Sequence, residues 1–205
     1  RWIFLLTHTG LSRIYLGVHF SSQVLMGWLT GILVLLVFTR FEEKVLAWFL
    51  SRSFPAQLIL IFACSILLWM AGVLVLYNLK DWEMPVKWIL NAAEDLAGSD
   101  ESILTSVGLS AVAGNSGGFL GVSLGALLMH RGGGFDTGGA VWKRLIRSVL
   151  GLVFLAAVYG IYHLTLPDTD RELMYSIWRF SGFFILAFST IFLIPRFFIR
   201  LNLLS

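Results

Sequence analysis

The sequence predicts an all-α fold: a polytopic helical membrane protein with about five complete transmembrane helices after a truncated one. Three observations lead there. Of 205 residues, 58% are hydrophobic and only 13% charged, a balance far from that of a soluble domain. Five apolar runs are each long enough to cross a hydrocarbon core of about 30 Å. The charged residues gather mostly between those runs.

Residues 1–10 are too short to cross a bilayer and read as the tail of a helix whose start is missing. Arg1 stands where a start Met would, and no signal peptide is legible. The first complete span covers residues 20–39. Residues 40–53 alternate Glu42, Glu43, Lys44 and Arg52 with Val45, Leu46, Trp48 and Phe49, the pattern of a short helix lying along the interface. Pro55 opens the second span, residues 54–79, at a first-turn position that tolerates proline. Residues 80–102 are acidic, with apolar residues at helical spacing, and read as a further amphipathic helix.

The third span, residues 103–130, carries two rows of glycine, Gly114–Gly118 and Gly117–Gly121–Gly125, which permit close helix contact. Asn115 and Ser116 lie between them, where packing is the favoured reading over a break in the helix. The glycine-rich stretch 131–139 lacks the lysine and hydroxyl placement of a phosphate-binding loop and reads as a flexible hinge. A basic amphipathic piece, residues 140–148, precedes the fourth span at 149–166. The fifth span, residues 174–194, is closed by Pro195 and a basic tail. The domain division expected is 1–40 for a helical core piece and 41–205 for four further spans with interfacial segments. Cys64 is the single cysteine, so no intrachain disulfide forms.

Chemistry concentrates in residues 11–28, LSRIYLGVHFSSQVLMGW, at the mouth of the first span. If the backbone is helical from His19, then His19, Gln23, Gly27 and Gly31 share one stripe, polar and then small, that should face other protein. The spacing resembles the third signature motif of the type 2 phosphatidic acid phosphatase superfamily: Ser-Arg, five residues, His, three residues, Asp. Ser12, Arg13 and His19 match it, and Tyr15, Leu16, Gly17, Val18, Phe20, Leu25, Gly27 and Trp28 resemble its surroundings. Gln23 stands where that family carries Asp.

The resemblance implies a hydrolase, a membrane phosphatase acting on a lipid phosphate monoester or pyrophosphate through a phosphohistidine intermediate. It implies His19 as the nucleophile, Arg13 and Ser12 as phosphate-binding groups, and Gln23 orienting His19 in place of Asp. A neutral imidazole is a competent nucleophile, and a guanidinium supplies directional donors to spreading negative charge. The family's other two motifs, one with Lys and Arg-Pro and one reading PSGH, do not occur in these residues, so the chain in isolation is expected to be inactive. His8 is not preceded by Pro-Ser-Gly and takes no such role.

No metal and no cofactor is expected, since no His, Cys, Asp and Glu cluster has ligand spacing. The expected partners are a lipid phosphate substrate and the bilayer; nothing points to nucleic acid. His163, one turn after Tyr159, reads as a structural hydrogen-bonding histidine before a substrate-entrance one, and His130 as interfacial. Two alternatives stay open: a non-catalytic, degenerate phosphatase-like protein acting in lipid binding or assembly, and a transporter in which the motif is coincidental.

Lys and Arg in alternate loops set the orientation. Arg40, Lys44, Arg52, Arg131, Lys143, Arg144, Arg147, Arg196 and Arg200 oppose Arg1, Arg13, Lys80, Lys87, Arg171 and Arg179. The first set is cytoplasmic by the positive-inside rule, which puts the motif on the periplasmic, extracellular or lumenal side.

Overall fold

The computed structural model describes residues 2–16, 20–80, 108–167 and 171–203. Among them five helices are long and apolar enough to cross a membrane, and the protein is an all-α, multi-pass membrane protein. Contacts group the chain into two units, residues 1–57 and 58–205.

In the first unit, α1 (Trp2–Tyr15) and α2 (Ser21–Leu50) form a helical hairpin. They meet at Gly10, where a Cβ would lie 2.5 Å from Cζ2 of Trp28 and 2.9 Å from Cγ1 of Val24. Glycine is what lets the indole lie against α1. The separate interfacial helix expected at residues 40–53 is instead the continuation of α2 to Leu50. No glycine or proline lies between Thr39 and Leu50, and Glu42, Glu43, Lys44, Leu46 and Ala47 are strong helix formers, so nothing breaks the backbone. At about 1.5 Å per residue, α2 outruns the hydrocarbon core and carries its charged turns beyond it.

The end of α2 is closed by side chains. Ser51 Oγ donates to the Trp48 carbonyl at 2.7 Å, and the Arg52 guanidinium lies 4.9 Å from the Trp48 ring centroid. Gln57, buried, donates from Nε2 to the Phe49 carbonyl at 2.9 Å, joining the Arg52 N–H at 3.1 Å on a carbonyl of the last helical turn. Gln57→Ala is therefore expected to lower stability in detergent by about 1–2 kcal/mol. An unfolding titration followed by helix content measures it, and an unchanged midpoint would contradict the assignment.

The second unit contains α4 (Leu109–Arg131), α5 (Val141–Leu164), α6 (Glu172–Phe188) and α7 (Ile194–Arg200), together with most of α3 (Phe54–Leu79). Half of the apolar window of α4 is buried, against none of α5, so α4 is the core helix and α5 the peripheral one. Gly108, extended at φ −110° and ψ 165°, starts α4 without a capping side chain. Instead, Glu172 at the start of α6 accepts the Leu109 N–H at 3.2 Å, a carboxylate set against the positive end of the helix dipole. Residues 103–107, expected in this span, and the amphipathic segment expected at 80–102, apart from Lys80, lie outside the described residues.

The longer glycine row is the seam between α4 and α6. A Cβ on Gly117 would collide with the Phe180 carbonyl, and one on Gly121 would lie 2.5 Å from the Phe184 carbonyl oxygen and 2.9 Å from the Phe188 nitrogen. One on Gly125 would meet Ile191 Cβ at 3.1 Å in the next turn. Helix α4 runs unbroken through Asn115 and Ser116. Ser116 Oγ donates back to the Val112 carbonyl, and its own carbonyl accepts from Ser65 Oγ at 3.0 Å, a buried hydrogen bond between α3 and α4. Beside it, Gly72 of α3 faces Val112.

Three further expectations are corrected. Residues 140–148 are not a separate piece: α5 runs continuously from Val141, because no glycine or proline interrupts its first ten residues. The stretch 131–139 is a turn tied by hydrogen bonds, not a free hinge. Gly133, Gly134 and Gly139 take φ of +94°, +67° and +101°, the region only glycine enters without strain. Arg147 Nη2 donates to the Thr137 and Gly138 carbonyls at 2.8 and 3.1 Å, and Arg144 Nε to the Gly139 carbonyl at 3.1 Å. Finally, Pro195 does not close the last span. The π-helical turn Ser189–Leu193 precedes it and the helix continues to Arg200, since the wider π turn makes room for a ring that would clash with the carbonyl four residues earlier.

Candidate functional site

The end of α1 packs beside the start of α2, and three of the four predicted site residues lie on these two helix ends. Ser12 and Arg13 occupy the last turns of α1, both exposed. Ser12 Oγ donates to the Thr9 carbonyl at 3.0 Å, a local bond that a ligand oxygen can replace. Arg13 stands at the negative end of the α1 dipole, which favours its charge there. The packing of Gly10 against Val24 and Trp28 fixes this end of the hairpin. His19 lies outside the described residues.

Gln23 is the third residue of α2. Phe20 ahead of it is extended at φ −72° and ψ 147°, and its N–H donates to Gln23 Oε1 at 3.1 Å. The side chain thus closes the N-terminus of its own helix, and a second lone pair on the same oxygen stays available to another donor. The small half of the predicted stripe departs from expectation: Gly27 and Gly31 have nothing within 4 Å of an added Cβ. Among the described residues they face no other helix: α1 meets α2 at Val24 and Trp28, nearer the start of α2 than Gly31.

His8 is exposed and stacks on Phe4 at 3.9 Å between centroids. Among the described residues no group of three or more His, Cys, Asp or Glu side chains converges as a metal site would.

A concave site lies in the second unit between α5 and α6, and sequence reasoning singled out only His163 and its neighbour Tyr159 there. It is a cavity of about 330 Å³, within the range of small-molecule pockets. Tyr162 stacks on Trp178 at 3.8 Å between centroids, and its ring lies on Gly182, where a side chain would displace it. His163 meets the Tyr159 ring edge-on at 4.5 Å; aromatic contact takes the place of the interhelical hydrogen bond expected for it. Arg179, counted above with loop residues, is inside α6. Its Cγ passes Gly114 of α4, its guanidinium carbon sits 5.7 Å from the Phe183 centroid, and its Nε is buried with no hydrogen-bond partner. The available signal was a charge within an otherwise apolar run.

Two family models match the chain. Residues 1–47 match the PAP2 superfamily, and residues 113–205 match the PAP2 superfamily phosphatase, transmembrane extension. No curated protein and no solved structure matches. The first match contains α1 and most of α2, with Ser12, Arg13, His19 and Gln23, and the second contains α5, α6 and the cavity between them.

Proposed function

From the matches of residues 1–47 to the PAP2 superfamily and of residues 113–205 to its transmembrane extension, we propose that the chain forms part of a membrane phosphatase hydrolysing a lipid phosphate monoester or pyrophosphate. The observation that carries this reading is the placement of Ser12 and Arg13 in the last turns of α1, beside the start of a helix long and apolar enough to cross the membrane. A lipid headgroup reaches such a place without leaving the bilayer.

In the proposed reaction an imidazole nitrogen of His19 attacks phosphorus, the bond from phosphorus to the lipid oxygen breaks, and a phosphohistidine forms. Water then attacks phosphorus, the P–N bond breaks, and inorganic phosphate leaves with His19 restored. Arg13 holds the phosphate oxygens as charge spreads over them, and the Ser12 hydroxyl adds a donor. Gln23 accepts the other ring N–H of His19, setting its tautomer without contributing charge. The leaving oxygen needs a proton, which the family resemblance assigns to the His of the PSGH motif.

The proposed face is the non-cytoplasmic one. With Arg179 inside α6, the loops on the motif's side carry less positive charge than first counted, which supports this orientation.

Hydrolysis of phosphatidic acid in mixed micelles by the full protein tests the reading. Arg13→Ala is expected to lower kcat/KM by about 10²–10³-fold, with partial recovery in Arg13→Lys. Undiminished hydrolysis by Arg13→Ala would overturn it.

Gln23 favours a second reading, a protein that binds lipid phosphate without hydrolysing it. The two separate on Gln23→Asp. If the site is catalytic, restoring a carboxylate beside His19 raises kcat by at least about tenfold, since an amide in that position is costly in a comparable triad. If it is not, binding persists and no turnover appears in either form.

A further inference from the structure

Arg179 is a cation set inside a membrane-spanning helix. It sits seven residues into α6, about 10 Å along the helix from its start, in a segment long and apolar enough to span the membrane. An ionisable residue at such depth needs a partner. Among the described residues no carboxylate lines the α5–α6 cavity, and Arg179 Nε is buried without an acceptor. The rings around it leave the charge in place: Tyr162 stacks on Trp178, and Trp178 Nε1 is 3.4 Å from Thr165 Oγ1, so the indole donor is directed away from Arg179. Gly114 and Gly182 are the clearances that seat the arginine stem and the Tyr162 ring. The cavity is cationic at one point and aromatic elsewhere, and lies near the membrane-boundary ends of α5 and α6, where Tyr and Trp typically meet headgroups.

We propose that this cavity binds the phosphate headgroup of an anionic membrane lipid, with Arg179 as its counter-charge and Tyr159, Tyr162 and Trp178 packing the glycerol and the first acyl carbons. A lipid supplies in one molecule both an anionic acceptor for the Arg179 guanidinium and the apolar body that the rings fit. The site is independent of Ser12, Arg13 and His19 and stands whether or not the motif is catalytic.

Native mass spectrometry of the full chain in neutral detergent tests it, with dioleoyl phosphatidic acid, dioleoylglycerol and sodium phosphate as separate probes. Wild type and Arg13→Ala should both retain phosphatidic acid, the second variant removing the motif's own phosphate grip. In the Arg13→Ala background, Arg179→Gln should reduce retention by about tenfold or more, and Arg179→Lys by less. Tyr159→Ala, at an exposed rim position, should weaken it about threefold without touching the core, which keeps the test open if Arg179→Gln misfolds. Equal retention by folded Arg179→Gln, dioleoylglycerol retained as strongly as phosphatidic acid, or displacement of the lipid by equimolar sodium phosphate would each overturn the assignment.

Discussion

His19→Ala in the full protein is expected to lower kcat on a lipid phosphate by about 10³-fold or more, while substrate binding changes far less. Removing the nucleophile removes the covalent route, but leaves Arg13 and Ser12 to hold the headgroup. The distinction from a merely structural histidine lies in how the loss divides. A structural role would lower the folded fraction, and with it the apparent enzyme concentration, without changing the KM of the remainder. Steady-state kinetics normalised to active protein, beside a lipid-binding measurement, separates the two. Normal turnover after His19→Ala would remove the histidine from the mechanism.

The second large effect concerns the scaffold, and it comes as a pair of opposite signs from two glycines one turn apart. Gly121→Ala places a methyl group 2.5 Å from the Phe184 carbonyl oxygen and 2.9 Å from the Phe188 nitrogen. Backbone atoms cannot rotate away as a side-chain tip can, so α4 and α6 must part. The expected cost is about 3 kcal/mol, the upper part of the usual range for overpacking. Gly118→Ala meets nothing within 4 Å and should stabilise α4 by about 0.5–1 kcal/mol through helix propensity alone. Unfolding titrations of the two variants in one detergent measure the difference. Equal effects would mean that the α4–α6 seam does not run along the row Gly117–Gly121–Gly125.

That row was legible in the sequence because close helix contact leaves a direct trace: small residues at four-residue spacing. The apolar runs were legible for the same reason, since the hydrocarbon imposes a length. What escaped was set by the absence of a breaker or by tertiary fit. Residues 40–50 and 141–148 carry charges that mark an interface, but charge does not end a helix, and α2 and α5 run through without a bend in sequence terms. Pro195 looked like a stop because its lost N–H is visible in the sequence, whereas the π turn that absorbs it is not. Arg144 and Arg147 looked like interfacial cations until the carbonyls of the glycine turn were seen to accept from them.

The candidate site divides similarly. Ser12, Arg13 and Gln23 were singled out by a family resemblance, and the hairpin sets the end of the helix carrying the first two beside the start of the helix carrying the third. The bond from Phe20 N–H to Gln23 was invisible, because it depends on α2 beginning at Ser21 and not at His19. The Arg179 cavity was missed as a unit since its parts come from two helices and its two glycines are read only through what they accommodate.

The most direct test of the central claim is to incubate the protein with lipid labelled with ³²P in the phosphate group, denature it in alkali, and map the label by peptide. A phosphohistidine is stable to alkali and labile to acid. The proposed mechanism predicts label on the peptide containing His19, lost in His19→Ala and more abundant in Gln23→Asp if formation is the slower step in the native protein. Hydrolysis of the lipid with no label on that peptide under any quench would contradict it.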